Sequence, residues 1–314
     1  MATLKDLVTG KGFDASQGII EEIIKTVPEV DKFTSLLIKG TTFQSVSQTS
    51  DPTTGFRTVG NGIDASDEGY ELRNYALGIL AGLVQRDKAA VDADIRGRDA
   101  TLTAAAVSLV RSGMKSLASK VWYGSSGGAE KFNGCASLVK DSLVVNAGGS
   151  TASQMASAYA VGLGEDKCHL VFNENAPLLT RAELDWKEGI MTGANDKPVP
   201  SYWTDLTGWA GFACRNSNAI ARAANLDGST HKLTDEILAE LVSKYAEAND
   251  GLNPDAIFVT FAQRLLLQKS RGTTVRTGAR SSIEITAAVP LEYDGIPIIA
   301  TNNLVNTEAV WSAA

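Results

Sequence analysis

Residues 99–123 read DATLTAAAVSLVRSGMKSLASKVWY, and this stretch decides the architecture. Leu102, Ala106, Leu109, Gly113, Leu117 and Val121 recur at spacings of three and four, which lines them along one face of a helix. Val107, Val110 and Met114 widen that face into a stripe. Asp99 is placed to cap the start, and Gly124 marks the stop. About 24 residues rising 1.5 Å each make a rod on the order of 36 Å long, roughly twice the common globular helix. An element of that length with one apolar stripe is expected to serve as a spine.

Downstream, the chain loosens through Ser125-Ser126-Gly127-Gly128 and Phe132-Asn133-Gly134. A short helix is expected at 152–162, and a buried strand at His169-Leu170-Val171-Phe172. Residues 206–215 alternate, with Leu206, Ala210, Phe212 and Cys214 on one face and Thr207, Trp209 and Arg215 on the other, which reads as a strand with one wet side. A second helix is expected over Asp235 to Ala248, capped by Thr234, with Leu233 placed to staple onto Leu238. A strand at Ile257–Val259, a short helix at 261–269, and strands at Ile283–Thr286 and Ile296–Ala300 complete the carboxyl half. Pro297 lacks a ladder donor, so the last strand is expected at an edge.

Upstream of the spine the pattern thins. A weak helix from Ser16 to Lys25 carries Ile19, Ile20, Ile23 and Ile24, and Pro28 closes it. Phe33, Leu36, Leu37 and Ile38 follow in a short piece. Residues 1–45 cannot build a core alone and read as an arm that packs on something else. Residues 46–70 are rich in Ser, Thr, Asp and Gly, with Asp51-Pro52 and Gly60-Asn61-Gly62 as turn signals. A polar excursion of that length is a functional loop or a disordered segment. Order returns over 70–96. Helices and strands mix without βαβ alternation, so the class is α+β.

Composition narrows the function. Hydrophobic residues make up 44% and charged residues 21% of the 314, which suits a folded chain with a sizeable core and excludes disorder. No apolar run approaches the roughly 20 residues that span a bilayer, and Met1-Ala2-Thr3-Leu4-Lys5 does not open a signal peptide, so synthesis in the cytosol and no membrane partner are expected. Net charge is −7 and the pI near 5.0. The richest basic stretch, Lys269 to Arg280, holds four basic residues in twelve, too few for the patch that tight nucleic-acid binding needs. Cys135, Cys168 and Cys214 are scattered and odd in number, which argues against a disulfide framework and for small core residues.

Motifs that carry chemistry are each outweighed by a plainer reading. Gly124-Ser125-Ser126-Gly127-Gly128 fits the nucleophile-elbow pattern, but that chemistry needs a strand before the serine and a helix after it. Here a helix precedes and a loop follows, and neither His169 nor His231 has an evident partner. Thr9-Gly10-Lys11-Gly12 lacks the upstream glycine of a phosphate loop. Gly162-Leu163-Gly164 lacks the third glycine of a dinucleotide fingerprint and reads as a helix cap. Cys168 and His169 point to opposite faces of a strand, and Glu21-Glu22 and Asp235-Glu236 sit on helix surfaces. No catalytic, cofactor-binding or metal residue is therefore nominated, and no cofactor. Trp203 and Trp209 flank a Thr/Gly-rich segment, where core packing and an interface both fit.

The helix exit also carries a resemblance. Val121-Trp122-Tyr123-Gly124 followed by Ala129-Glu130-Lys131-Phe132-Asn133-Gly134 resembles the "FYG … F-x-G" junction of tailed-bacteriophage major capsid proteins. Cys168-His169-Leu170-Val171-Phe172-Asn173, Trp209, Arg215 and Ile220 to Leu226 resemble that family's "LV … G … W … GL … R … IANI" segment. Tyr293 to Thr301 and Asn306-Thr307-Glu308-Ala309 are similar to its "DGIPI…T" and "NTEA" ending. The order and spacing of these motifs carry the likeness, which departs from the family pattern at Gly189 to Pro200.

The resemblance implies a Hong Kong 97-like capsid fold. It places an N-terminal arm at 1–45 and an extended loop at about 46–70, with its base reaching 96. A peripheral domain at 97–228 would hold the spine 99–123 and the strands over 169–226. An axial domain at 229–314 would follow, an order permuted against the founding member. It implies self-assembly into hexamers and pentamers of an icosahedral shell around the phage genome, in the virion, built in the bacterial host cytoplasm. Portal, scaffold and decoration proteins are the implied partners, and the DNA is enclosed without sequence-specific binding. An encapsulin-type compartment shares the fold and is the alternative; a serine hydrolase on Gly124–Gly128 is the remote one.

Overall fold

The computed structural model describes residues 27–175, 186–193, 196–271, 273–276, 282–285 and 289–313. The expected helix at Ser16–Lys25 and the Thr9–Gly12 turn lie outside the described residues. The chain opens with α1 (Pro28–Lys32), β1 (Thr34–Ile38), β2 (Thr42–Ser50), β3 (Gly69–Ala76), β4 (Gly78–Asp87), α2 (Lys88–Asp92) and α3 (Arg98–Tyr123). It continues through α4 (Cys135–Leu138), β5 (Val144–Asn146), β6 (Ala156–Val161), β7 (Cys168–Asn173), β8 (Lys187–Thr192), β9 (Pro198–Cys214) and β10 (Ile220–Leu226). Then come α5 (Asp235–Ala248), β11 (Ala256–Thr260), α6 (Phe261–Ser270), β12 (Thr273–Arg276), β13 (Ser282–Ile285), β14 (Glu292–Tyr293) and β15 (Ile296–Thr301).

The spine forms as its spacing predicts. Helix α3 runs 26 residues and buries Leu102, Ala106, Leu109, Val110, Met114, Leu117 and Val121 of the expected stripe, together with Ala105, Ala118 and Trp122, while Val107 is half-buried. Its cap differs from expectation. Gly97 occupies the cap position without a side-chain bond, and Asp99 lies in the first turn, where its charge complements the helix dipole. At the far end Gly124 is extended (φ −62°, ψ 152°), so the backbone leaves the helix straight.

The spine lies on a five-stranded sheet of order β1-β7-β9-β4, with β8 also paired to β9. The approach is close. A Cβ added at Gly82 of β4 would meet Leu109 Cδ1 at 2.7 Å, and one at Gly113 of the helix would meet Leu206 Cδ2 at 2.7 Å. A six-stranded sheet of order β14-β15-β11-β6-β10-β5 carries α5. Leu238, Leu241, Val242 and Tyr245 of that helix bury against Ala158, Ala160, Ala221, Ile257 and Val259. As expected, Thr234 caps it by accepting from the Ile237 N–H, and Leu233 is fully buried in the same cluster as Leu238.

The main core is the junction between the two sheets. Phe33, Trp122, Tyr159, Phe212 and Phe258 meet there, all without solvent exposure. Phe33 stacks on Phe258 at 5.8 Å, and Trp122 lies 5.1 Å from Tyr159. Each such side chain contributes roughly 2–3 kcal/mol by leaving water. Residues 27–38 belong to this core: β1 pairs in parallel with β7, and Val27 and Phe33 are fully buried.

Four further expectations are corrected. Residues 152–162 hold strand β6 rather than a short helix, and all six of its residues are buried. It sits between β10 and β11 with both faces covered, so the alternation that marks a half-wet strand is missing. Gly162 and Gly164 consequently turn the chain out of a strand rather than capping a helix. Pro297 does not place β15 at the edge, because the two-residue β14 pairs outside it, with Glu292 opposite Pro297. Finally, the strands expected as one block over 169–226 divide: β7 and β9 are in the five-stranded sheet and β10 is in the six-stranded one.

Candidate interaction surfaces

Strands β2 and β3 form an antiparallel hairpin that stands apart from both large sheets. Its base is fixed. Phe43 lies 6.2 Å from Tyr75 and edge-on to His169 at 5.3 Å. The Tyr75 hydroxyl donates to the Cys214 carbonyl, Arg215 Nε donates to Ser45 Oγ at 3.0 Å, and Leu77 N–H donates to the Thr41 carbonyl at 2.8 Å. Beyond the base this support ends. Val46 and Leu72 face each other across the strands, and with Tyr70 they are 58%, 57% and 62% exposed.

At the tip, residues 51–68 are exposed throughout, including Phe56, Val59 and Ile63. Bonds within it include Thr53 N–H to Ser66 Oγ at 2.7 Å, Arg57 Nη1 to the Asn61 carbonyl at 2.8 Å, and Asn61 Nδ2 to Thr58 Oγ1 at 2.9 Å. Apolar groups held on a projecting arm gain about 1 kcal/mol or more each if a second surface covers them.

A second surface lies on the five-stranded sheet, opposite the spine. Along β4, Leu80, Gly82 and Val84 turn to the helix, while Ile79 and Leu83, both 55% exposed, turn away. Ile79 pairs across with Trp209, which is half-buried among Phe43, Tyr75, Leu77, Val171 and Ala213 at the hairpin base. Trp203 is also half-buried, with Lys187 Nζ 4.6 Å above its ring. Both tryptophans therefore lie at the margin of a sheet face that is only partly covered.

Two buried carboxylates lock the scaffold behind these surfaces. Glu29 accepts from Trp122 Nε1 at 3.0 Å, from Asn303 Nδ2 at 2.9 Å and from the Thr301 hydroxyl, which ties α1 to the end of the spine and to the carboxyl segment. Glu308 accepts from Arg222 Nη2 at 2.8 Å and from the hydroxyls of Ser157 and Tyr123. Burial, followed by the Glu308 charge, holds the Tyr123 phenol protonated far above its usual range. Glu308 lies in Asn306-Thr307-Glu308-Ala309, so sequence reading reached its motif without its role. Glu29 has no sequence signal.

The loop that fits the nucleophile-elbow pattern is a packed helix exit. Ser126 is exposed, and its N–H donates to Asn133 Oδ1 at 2.8 Å. Glu130 Oε1 accepts from Ser125 N–H at 2.9 Å and lies 3.2 Å from Lys120 Nζ, while loop backbone N–H groups hold its carboxyl below the usual range. The two histidines have other surroundings. His231 Nδ1 is 3.1 Å from Asp227 Oδ2, and His169 is fully buried in β7 with its pKa pushed down to about 4 by burial and then by Arg215. The three cysteines are buried thiols. Among the described residues no three His, Cys, Asp or Glu side chains gather as a metal site, and no helix is long and apolar enough to cross a membrane.

A family model described as major capsid protein GP7 matches residues 19–312. No curated protein matches the sequence. Among solved structures, a chain of bacteriophage Epsilon15 is 15% identical, with 90% of this chain and 88% of that one covered at a TM-score of 0.62. The bacteriophage JBD30 capsid is 10% identical, with 96% and 99% covered at a TM-score of 0.53. An encapsulin from Synechococcus elongatus is 11% identical, with 74% and 99% covered at a TM-score of 0.46, below the level that decides anything. The first two likenesses are of fold, and that fold is the α+β, Hong Kong 97-like capsid architecture.

Proposed function

The chain belongs to the major capsid protein GP7 family, and on that premise we propose how its parts build a shell. It is a structural protein of the bacteriophage virion whose copies assemble into the capsid. The six-stranded sheet with α5 and α6 is the axial domain, which gathers around the axes of hexameric and pentameric rings. The five-stranded sheet with α3 is the peripheral domain, and the β2–β3 hairpin with its tip is the extended loop. This division follows the sheets rather than a cut at residue 228, so β5, β6 and β10 go with the axial strands.

One observation carries the lacing role: a hairpin pinned at its base whose outer half holds Val46, Leu72, Tyr70 and Phe56 in water. A neighbouring subunit covers those side chains, and its contacts offset the entropy of fixing the tip. The protein carries out no catalysis in this reading, and Ser126 is loop structure alone. Portal, scaffold and decoration proteins join it in the host cytoplasm, and at a net charge of −7 the wall encloses DNA without gripping it.

The test is trypsin digestion of dissociated subunits and of assembled particles. Cleavage at Arg57 should be rapid in the former and suppressed by at least an order of magnitude in the latter. Equal rates in both would show that the hairpin packs on its own subunit.

A further inference from the structure

We propose that Cys168 and Cys214 are an oxidation site, at which a disulfide closes inside the five-stranded sheet when the protein meets a thiol oxidant. The two residues stand directly opposite in the antiparallel pairing of β7 and β9. Cys168 directs its N–H to the Gly162 carbonyl and accepts at its own carbonyl from Gly164 N–H, both away from β9, while Arg215 N–H donates to the Lys167 carbonyl beside it. That pattern marks a non-hydrogen-bonded pair, in which Cα atoms approach to about 4.5 Å. A disulfide bridges Cα separations of about 4.4–6.8 Å.

The sulfurs are already 3.1 Å apart. A bond length of about 2.05 Å is reached if each sulfur moves by roughly half an ångström, within side-chain rotation. Cys214 Sγ also lies 3.0 Å from the half-buried Asn216 carbonyl, a proton acceptor at the strand end. Cys135 shares the core cluster but sits on α4, in no strand register with either partner.

In the reaction two S–H bonds break and one S–S bond forms. The two electrons and two protons pass to a small disulfide such as oxidised glutathione, which leaves as two thiols. Burial, and then the neighbouring Cys214, keeps the Cys168 thiol protonated, so exchange waits for local opening of the sheet and is slow. The product ties together two adjacent strands of the sheet and closes the connection between them. The expected rise in unfolding temperature is about 5–10 °C. The site does not rest on the shell reading.

The full chain is equilibrated in glutathione buffers from fully reduced to fully oxidised, then quenched, unfolded and labelled with N-ethylmaleimide. The expected result is a label on each of the three thiols when reduced and on Cys135 alone when oxidised, with a Cys168–Cys214 peptide in the unreduced digest. Cys135→Ala should then take no label, and Cys168→Ala should form no internal link. Three labels in the most oxidising buffer, or a link that includes Cys135, overturns the proposal. The unsubstituted chain gives the answer by itself if a variant fails to fold.

Discussion

Acid should loosen the seat of the hairpin through one ring. His169 is fully buried in β7, pairs across with Ala213 of β9 and meets Phe43 of the hairpin edge-on. Burial and Arg215 push its pKa from 6.5 to about 4, while the Gly164 backbone and Asp166 lean the other way without offsetting them. The folded state thus keeps the ring neutral where the unfolded chain takes up a proton. The associated stability is complete above pH 6.5 and is lost as the pH falls towards 4. Linkage over that window gives a loss of about 1.4 kcal/mol at pH 5.5 and about 2.6 kcal/mol at pH 4.5. His169→Phe keeps a flat ring against Phe43 and removes the titration. Urea unfolding of dissociated subunits, followed by tryptophan fluorescence at pH 7.5, 5.5 and 4.5, measures both proteins. Carboxylates protonate in both, so the difference between them isolates the histidine. A difference that stays constant within a few tenths of a kcal/mol across this range refutes the argument.

Other substitutions probe the remaining parts. Leu109→Asp places a charge between the spine and β4 and should cost about 3–5 kcal/mol, leaving insoluble protein, whereas Ser112→Ala on the exposed face should be silent in the same expression assay. Gly78→Ala sets a Cβ 2.2 Å from the Glu130 carbonyl oxygen, where backbone has to shift, so thermal unfolding should show a loss of about 2–4 kcal/mol. Glu308→Gln leaves the largely buried Arg222 without its counter-charge and should cost about 3 kcal/mol in the same measurement. Deleting 51–66 should leave circular dichroism near that of the intact subunit while closed particles vanish from negative-stain images. Ser126→Ala should leave folding and particle yield unchanged.

The helices legible in sequence are those with one face in water and one in the core. Helices α3 and α5 each bury one face, so the spacing of apolar residues was enough to place Leu109 and Leu238, and Thr234 with Leu233 marked a helix start. Strand β6 hid because it is alanine-rich, a composition that favours helix, whereas the equally buried β7 and β11 carry the runs Leu170-Val171-Phe172 and Ile257-Phe258-Val259 that mark a strand. The first half of β9, residues 198–205, hid behind Pro198 and Pro200, although its later residues read correctly. The hairpin strands hid for the opposite reason: Gln44, Ser45 and Ser47 are polar, and what joins the two strands is backbone pairing rather than an apolar face. The scaffold carboxylates depend on partners far along the chain, 274 residues from Glu29 to Asn303 and 86 to 185 from Glu308 to its three, and no local pattern encodes such a meeting.

The interleaving of the two sheets also sets a timetable for synthesis. Strand β1 waits for β7, more than a hundred residues later, and β4 waits for β9. The six-stranded sheet stays incomplete until β15 emerges near the carboxyl end to pair with β11. A nascent chain that has not yet reached β10 therefore displays an open scaffold with neither layer sealed, and Glu29 still lacks Thr301 and Asn303. Pairing across such separations makes folding slow and late. Truncated chains consequently lack the finished surfaces on which copies dock, so a prematurely terminated product is excluded from the lattice by its own topology.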